Sequence, residues 1–151
     1  MSLPALANDG NLPQGVHTAE LSQILEALGG PSPRRRLMAQ RLERIYRVAL
    51  STGRVARFIV FGSFVTAKPE PNDVDIFMIM DDAFELDKLD GEARLLFDHG
   101  AADTFFGASV FWLRRLAALN GEEAAVNYWQ IRRDGGMRGI VEIVGGVDDS
   151  D

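Results

Sequence analysis

The sequence contains no cysteine. Disulfides, thiolate metal centres and a cysteine nucleophile are therefore excluded, and a reducing cytoplasm is the expected compartment. Histidine is nearly as scarce, with 2 in 151 residues. His17 and His99 each border a helix end or loop, no spacing links them, and neither is a strong catalytic candidate. Long apolar runs are missing as well. Nothing approaches the roughly 20 residues that a membrane helix needs. The opening MSLPALANDGNLPQG lacks the basic start and apolar core of a signal peptide, so membrane association is not expected. There is no excess of positive charge: 16 Lys and Arg stand against 22 Asp and Glu, for a net charge of -6. That balance argues against non-specific coating of nucleic acid and leaves room only for a local basic face.

What is present suits one domain with a hydrophobic core. Apolar residues make up 46% and charged residues 25%, which rules out a mainly disordered chain. Residues 1–16, rich in Pro, Gly and Asn, read as an extended arm, residues 17–146 as one domain and residues 147–151 as an acidic tail. HTAELSQILEALGG puts Leu21, Ile24, Leu25 and Leu28 on one helical face, with Thr18 as N-cap and Gly29 as stop. PSPRRRLMAQRLERIYRVALSTG begins a second helix at Ser32 and Pro33, with Met38, Leu42, Ile45 and Ala49 as its buried stripe and Gly53 at its end. Arg34–Arg36 fall in its first turn, where the macrodipole disfavours cations; they read as a solvated turn paired with nearby acids in preference to a phosphate-binding patch.

VARFIVFG and VDIFMIM read as buried strands; Pro69 and Pro71 leave no room between them for a long crossover helix. DDAFELDKLDGEARLLFDHG is expected to be mostly helical, stopping at Gly100. GASVFWL is a third strand, RRLAALNGEEAAVNYWQ helical, RRDGG a turn and RGIVEIV a fourth strand. The expected fold is α/β or α+β, a mixed sheet of about four strands with flanking helices. Trp112 and Trp129 fit a helix–sheet core better than a base-stacking platform.

One stretch does not fit a plain core. In FGSFVTAKPEPNDVDIFMIM, Asp73 and Asp75 sit one residue apart in an apolar strand. Strand alternation points both to one face, with Cα atoms roughly 6.5 Å apart. Such a pair repels itself and raises its own pKa values unless a hard divalent cation neutralises it. Gly62 lets the backbone turn and approach a ligand, and Ser63 adds a hydroxyl and the amides of a short helical turn. Phosphates held there would face a metal held by the aspartates, an arrangement suited to phosphoryl or nucleotidyl transfer. Lys68 could screen phosphate charge.

The combination of Phe61-Gly62-Ser63, nine intervening residues and Asp73-Val74-Asp75-Ile76 is similar to the signature of the polymerase-β-like nucleotidyltransferase superfamily. Together with PRRR and RDGGMRGIVEIV, it resembles a small bacterial nucleotidyltransferase-like family. The resemblance implies a mixed sheet with flanking helices, Gly62 and Ser63 on the phosphates of a nucleoside triphosphate, and Mg²⁺ or Mn²⁺ on Asp73 and Asp75. It also implies a third acid on the next strand, where this chain has Ala108 or Ser109; the pattern favours Ser109, with Asp103 or Glu142 as substitutes. Two expectations follow. One is an enzyme moving a nucleoside monophosphate from the triphosphate to a hydroxyl of an unknown acceptor, with a partner protein of toxin–antitoxin type. The other is a catalytically impaired module that binds nucleotide and metal and regulates a partner.

Overall fold

The structure, a computed structural model, describes residues 3–145; the acidic tail expected at 147–151 lies outside them. Five strands form one sheet: β1 (Val16–Ala19), β2 (Val55–Phe61), β3 (Val74–Met80), β4 (Ala108–Arg114) and β5 (Ile140–Ile143), in the order β1-β5-β2-β3-β4. β2 is antiparallel to both of its neighbours, β3 and β5, whereas β3–β4 and β1–β5 are parallel. The helices are α1 (Leu21–Leu28), α2 (Pro33–Ser51), α3 (Gly91–Leu96), α4 (His99–Phe106) and α5 (Glu122–Asn127). The fold is therefore mixed α+β. Among the described residues no helix is long and apolar enough to cross a membrane.

Alternation along the strands sorts side chains onto two faces. On one face Phe58 and Val60 of β2, Ile76, Met78 and Met80 of β3 and Val141 of β5 are buried beneath α1 to α4. There α2 contributes Met38, Leu42, Ile45, Tyr46 and Ala49, and the Tyr46 ring meets Phe58 edge-on with centroids 4.9 Å apart. Each fully buried Val, Leu, Ile, Phe or Met among them contributes about 1.5–3 kcal/mol by leaving water. The other face is covered more thinly. Ile59, Phe77, Ile79 and Ile140 pack beneath Val126 of α5 and, in part, Trp129. Because α5 has only 6 residues, one end of this face stays open.

Five expectations change. β1 adds a fifth strand, and Thr18 lies within it rather than capping a helix; Glu20 is the cap, its N–H donating to Gln23 Oε1 at 2.9 Å. Gly100 does not stop a helix. It lies inside α4, which restarts where the Asp98 carboxylate accepts from Ala101 N–H at 2.9 Å and ends at the left-handed Gly107. Arg35 is not solvated but 3% exposed. Trp112 packs as expected against Phe84 and Phe97, and its indole N–H donates to Phe97 O; Trp129, by contrast, is only part-buried and borders the open end. The Ser32 cap and Pro33 start of α2 are as expected, with the Ser32 hydroxyl accepting from Arg35 N–H at 3.1 Å.

Candidate functional site

β2 ends at Phe61, and the chain turns at Gly62 with φ of 81°, a conformation that side chains rarely adopt. A second constraint acts at the same residue. A Cβ on Gly62 would collide with Asp75 Oδ2. The Asp75 carboxylate thus occupies the space a side chain at residue 62 would need. Antiparallel pairing of Phe61 with Asp75 sets up this contact. Ser63–Val65 then form a single 3-10 turn.

The loop that follows is fixed from below by Arg35, whose guanidinium donates to Phe64 O at 2.8 Å, Leu28 O at 3.1 Å, Lys68 O at 2.6 and 3.1 Å, and Thr66 O. Its carbon lies 5.5 Å from the Phe64 ring centroid. A buried cation is tolerated here because its donors are met by oriented carbonyls. The arm adds another tie: Gly10 O accepts from Ala67 N–H at 2.8 Å, and the buried Leu12 offers its carbonyl to Gly139 N–H.

Beyond this loop lies a cleft of about 840 Å³, lined by Ser63, Lys68, Asn72, Asp73, Asp75 and Ser109, by Phe61, Phe111, Tyr128, Trp129 and Ile131, and by Arg132, Arg133, Asp134 and Arg138. Asp73 precedes β3 and Asp75 is its second residue. Asp75 is pushed up to about 6, first by burial and then by the neighbouring Asp73 charge; Arg138, Arg133 and the Ser109 hydroxyl pull the other way without cancelling this. No described cation forms an ion pair with either aspartate. Arg138 is lowered from its ordinary value by burial and by Arg132. Arg132 pairs with Asp134 at 2.8 Å, whereas Arg133 and Arg138 pair with no carboxylate among the described residues.

All five residues singled out by the leading motif come together here: Gly62 against Asp75, with Ser63, Lys68, Asp73 and Asp75 on the cleft wall. Parallel pairing sets Ser109 beside Asp75 and sends Ala108, fully buried, to the opposite face. The substitute acids are elsewhere. Asp103 is exposed on α4 and does not line the cleft. Glu142 is held by Arg57 through contacts of 3.0 and 2.7 Å, beside Glu122 and Glu123. Among the described residues no group of three or more His, Asp or Glu gathers for a metal. The carboxylates lining the cleft are Asp73 and Asp75, which are free of ion pairs among the described residues, and Asp134, which pairs with Arg132.

The arginines were missed because RRDGG reads locally only as a turn. That turn, closed by Arg132 N–H to Gly136 O at 2.7 Å and an Ile131–Met137 bridge, folds back over the cleft mouth.

The sequence profile of a family of unknown function (DUF6932) matches residues 4–144. The chain belongs to this family. No curated protein and no solved structure matches it. The DUF6932 match runs from the arm to the end of β5, so every cleft residue lies inside the region the family shares.

Proposed function

We propose that the cleft binds a nucleoside triphosphate together with Mg²⁺ or Mn²⁺, in the manner of a nucleotidyltransferase-like site. The observation that carries this reading is the seating of the Asp75 carboxylate against Gly62, with Asp73 beside it and Arg133 and Arg138 acting on Asp75 from the same cleft. A half-buried carboxylate raised by its burial and by a neighbouring carboxylate is a poor structural element and a good cation ligand. Asp73 and Asp75 would hold the metal, whose chemistry when bound is charge neutralisation and polarisation of phosphate oxygens. The Gly62–Ser63 turn offers close backbone approach and a hydroxyl. Lys68, Arg133 and Arg138 supply cationic donors for phosphate oxygens.

Two outcomes are open to such a site: transfer of the nucleoside monophosphate to an acceptor hydroxyl, or binding that signals to a partner protein. Ser109 favours the second. It occupies the position beside Asp75 where the resemblance calls for an acid, and a serine hydroxyl neither carries charge nor takes a proton efficiently at neutral pH. We therefore read the protein as a nucleotide- and metal-binding module that has kept the binding half of the site.

Calorimetry tests this. Mg·NTP should bind the native protein, and binding should vanish in chelator and in the Asp73→Asn, Asp75→Asn double variant. Unchanged affinity in that variant would sink the proposal. Label passing from an NTP to any macromolecule in lysate would move the assignment from module to enzyme.

A further inference from the structure

The cleft has a second, uncharged end. On the face that carries Asp75, strand pairing places Phe61, Asp75 and Ser109 in one row and Ile59, Phe77 and Phe111 in the next. The rows are two residues apart along each strand, roughly 7 Å. Trp129 bridges the two rows, its ring centroid 4.5 Å from Phe61 in the first and 5.1 Å from Phe111 and 5.2 Å from Phe77 in the second, with planes tilted by only 31–36°. Tyr128 stands edge-on to Trp129 at 5.0 Å.

These rings are not simply interior packing. Phe111 is 38% exposed and Tyr128 61% exposed, and both line the cleft with Trp129. Exposed apolar residues scattered singly need no explanation, but these adjoin a charged subsite in one cavity. A cavity with a cationic and carboxylate end and an aromatic end matches a ligand with a polyanionic end and a flat π-system. The roughly 7 Å between the rows is a span that a sugar joining the two ends would bridge.

Resting on the nucleotide reading above, we propose that Phe111, Tyr128 and Trp129 form the nucleobase subsite of the cleft and favour purines over pyrimidines. The base stacks on the exposed aromatic faces while the phosphates lie toward Asp73, Asp75 and the arginines. Stacking accepts any base because every base has a π-face, and the larger purine ring covers more of the wall. Little discrimination between adenine and guanine is expected.

Three probes in excess Mg²⁺ test this by calorimetry: tripolyphosphate, ATP and UTP. The native protein should bind ATP about tenfold tighter than tripolyphosphate, the gain expected of one stacked base, with UTP between them. Tyr128→Ala and Phe111→Leu together should erase most of that margin and leave tripolyphosphate affinity unchanged. Tyr128 is 61% exposed, so Tyr128→Ala alone keeps the fold and should give a partial loss, with a thermal melt confirming integrity. Equal native affinity for ATP and tripolyphosphate, or a margin that survives both substitutions, overturns the subsite while leaving the phosphate site standing. UTP binding as tightly as ATP overturns the purine preference. Failure of all three probes to bind overturns the nucleotide reading and the subsite with it.

Discussion

Arg35 and Asp75 are both charged residues drawn into the interior, and their surroundings treat them in opposite ways. Arg35 is 3% exposed and its guanidinium is spent on four backbone carbonyls. Asp75 is less deeply buried, yet it faces another carboxylate and is pushed up to about 6. A satisfied buried charge holds structure in place. A charge compensated only in part costs stability and is a place to look for a ligand. The two are also mechanically linked, since Arg35 fixes the loop that begins at Gly62, the residue Asp75 rests against.

Removing each charge should therefore act with opposite sign. Arg35→Met should be the most damaging single change. It leaves the carbonyls of Leu28, Phe64, Thr66 and Lys68 without their donor, at about 1–3 kcal/mol for each that stays buried and unmet. A loss of about 3 kcal/mol or more in urea unfolding is expected, and a midpoint equal to the native protein's would break the comparison.

Asp75→Asn should instead stabilise at neutral pH. The folded-state pKa of Asp75 lies above its unfolded value, so the folded state binds the proton more tightly. The stability this confers is complete below about pH 4 and is lost as the pH rises through about 6. The variant should therefore gain on the order of 2–3 kcal/mol over the native protein at pH 7.5, with the gain shrinking to nothing at pH 3.5. Thermal melts across that range measure it. A gain that does not depend on pH would mean that Asp75 is not held against its charge.

Gly62→Ala sharpens the link between the two regions. Positive φ alone costs about 1–2 kcal/mol, and the new Cβ would displace the Asp75 carboxylate. The same change in an Asp75→Ala background should cost less, with a coupling of at least about 0.5 kcal/mol in the double-mutant cycle. Strict additivity would remove the steric part of the account.

The site was more legible in the sequence than some of its supports. Apolar runs announced β2 to β5, and the spacing from Gly62 to Asp75 announced that a turn and a strand would meet. β1 escaped because VHTA has only 4 residues and runs directly into an amphipathic helix. Arg35 carried a signal that charge obscured. Extending the stripe of Met38, Leu42, Ile45 and Ala49 back three residues lands on it rather than on Arg34 or Arg36. For Arg138 the clue was parity, since it stands two residues ahead of Ile140, which faces the cleft side of the sheet. Nothing local showed that the turn before it would fold over Asp75, because that placement depends on β5 lying beside β2. The aromatic wall was similarly hidden: Phe61 on β2, Phe111 on β4 and Trp129 in the helical turn after α5 come from three separate stretches and meet only in the folded chain.

β5 enters the sheet between β1 and β2, and it is the partner that β1 has within that sheet. The strand made first must therefore wait for the strand made last. On a ribosome, β2, β3 and β4 can assemble against α2 while the inner edge of β2 stays bare and β1 has nothing to pair with. Closure then joins Val16 to Ile140 across most of the chain, the kind of long-range contact that slows folding. During that interval the open β2 edge is a template for pairing with another nascent chain. A polypeptide halted before Ile140 would carry the complete Gly62–Asp75 motif and still be left in that aggregation-prone state.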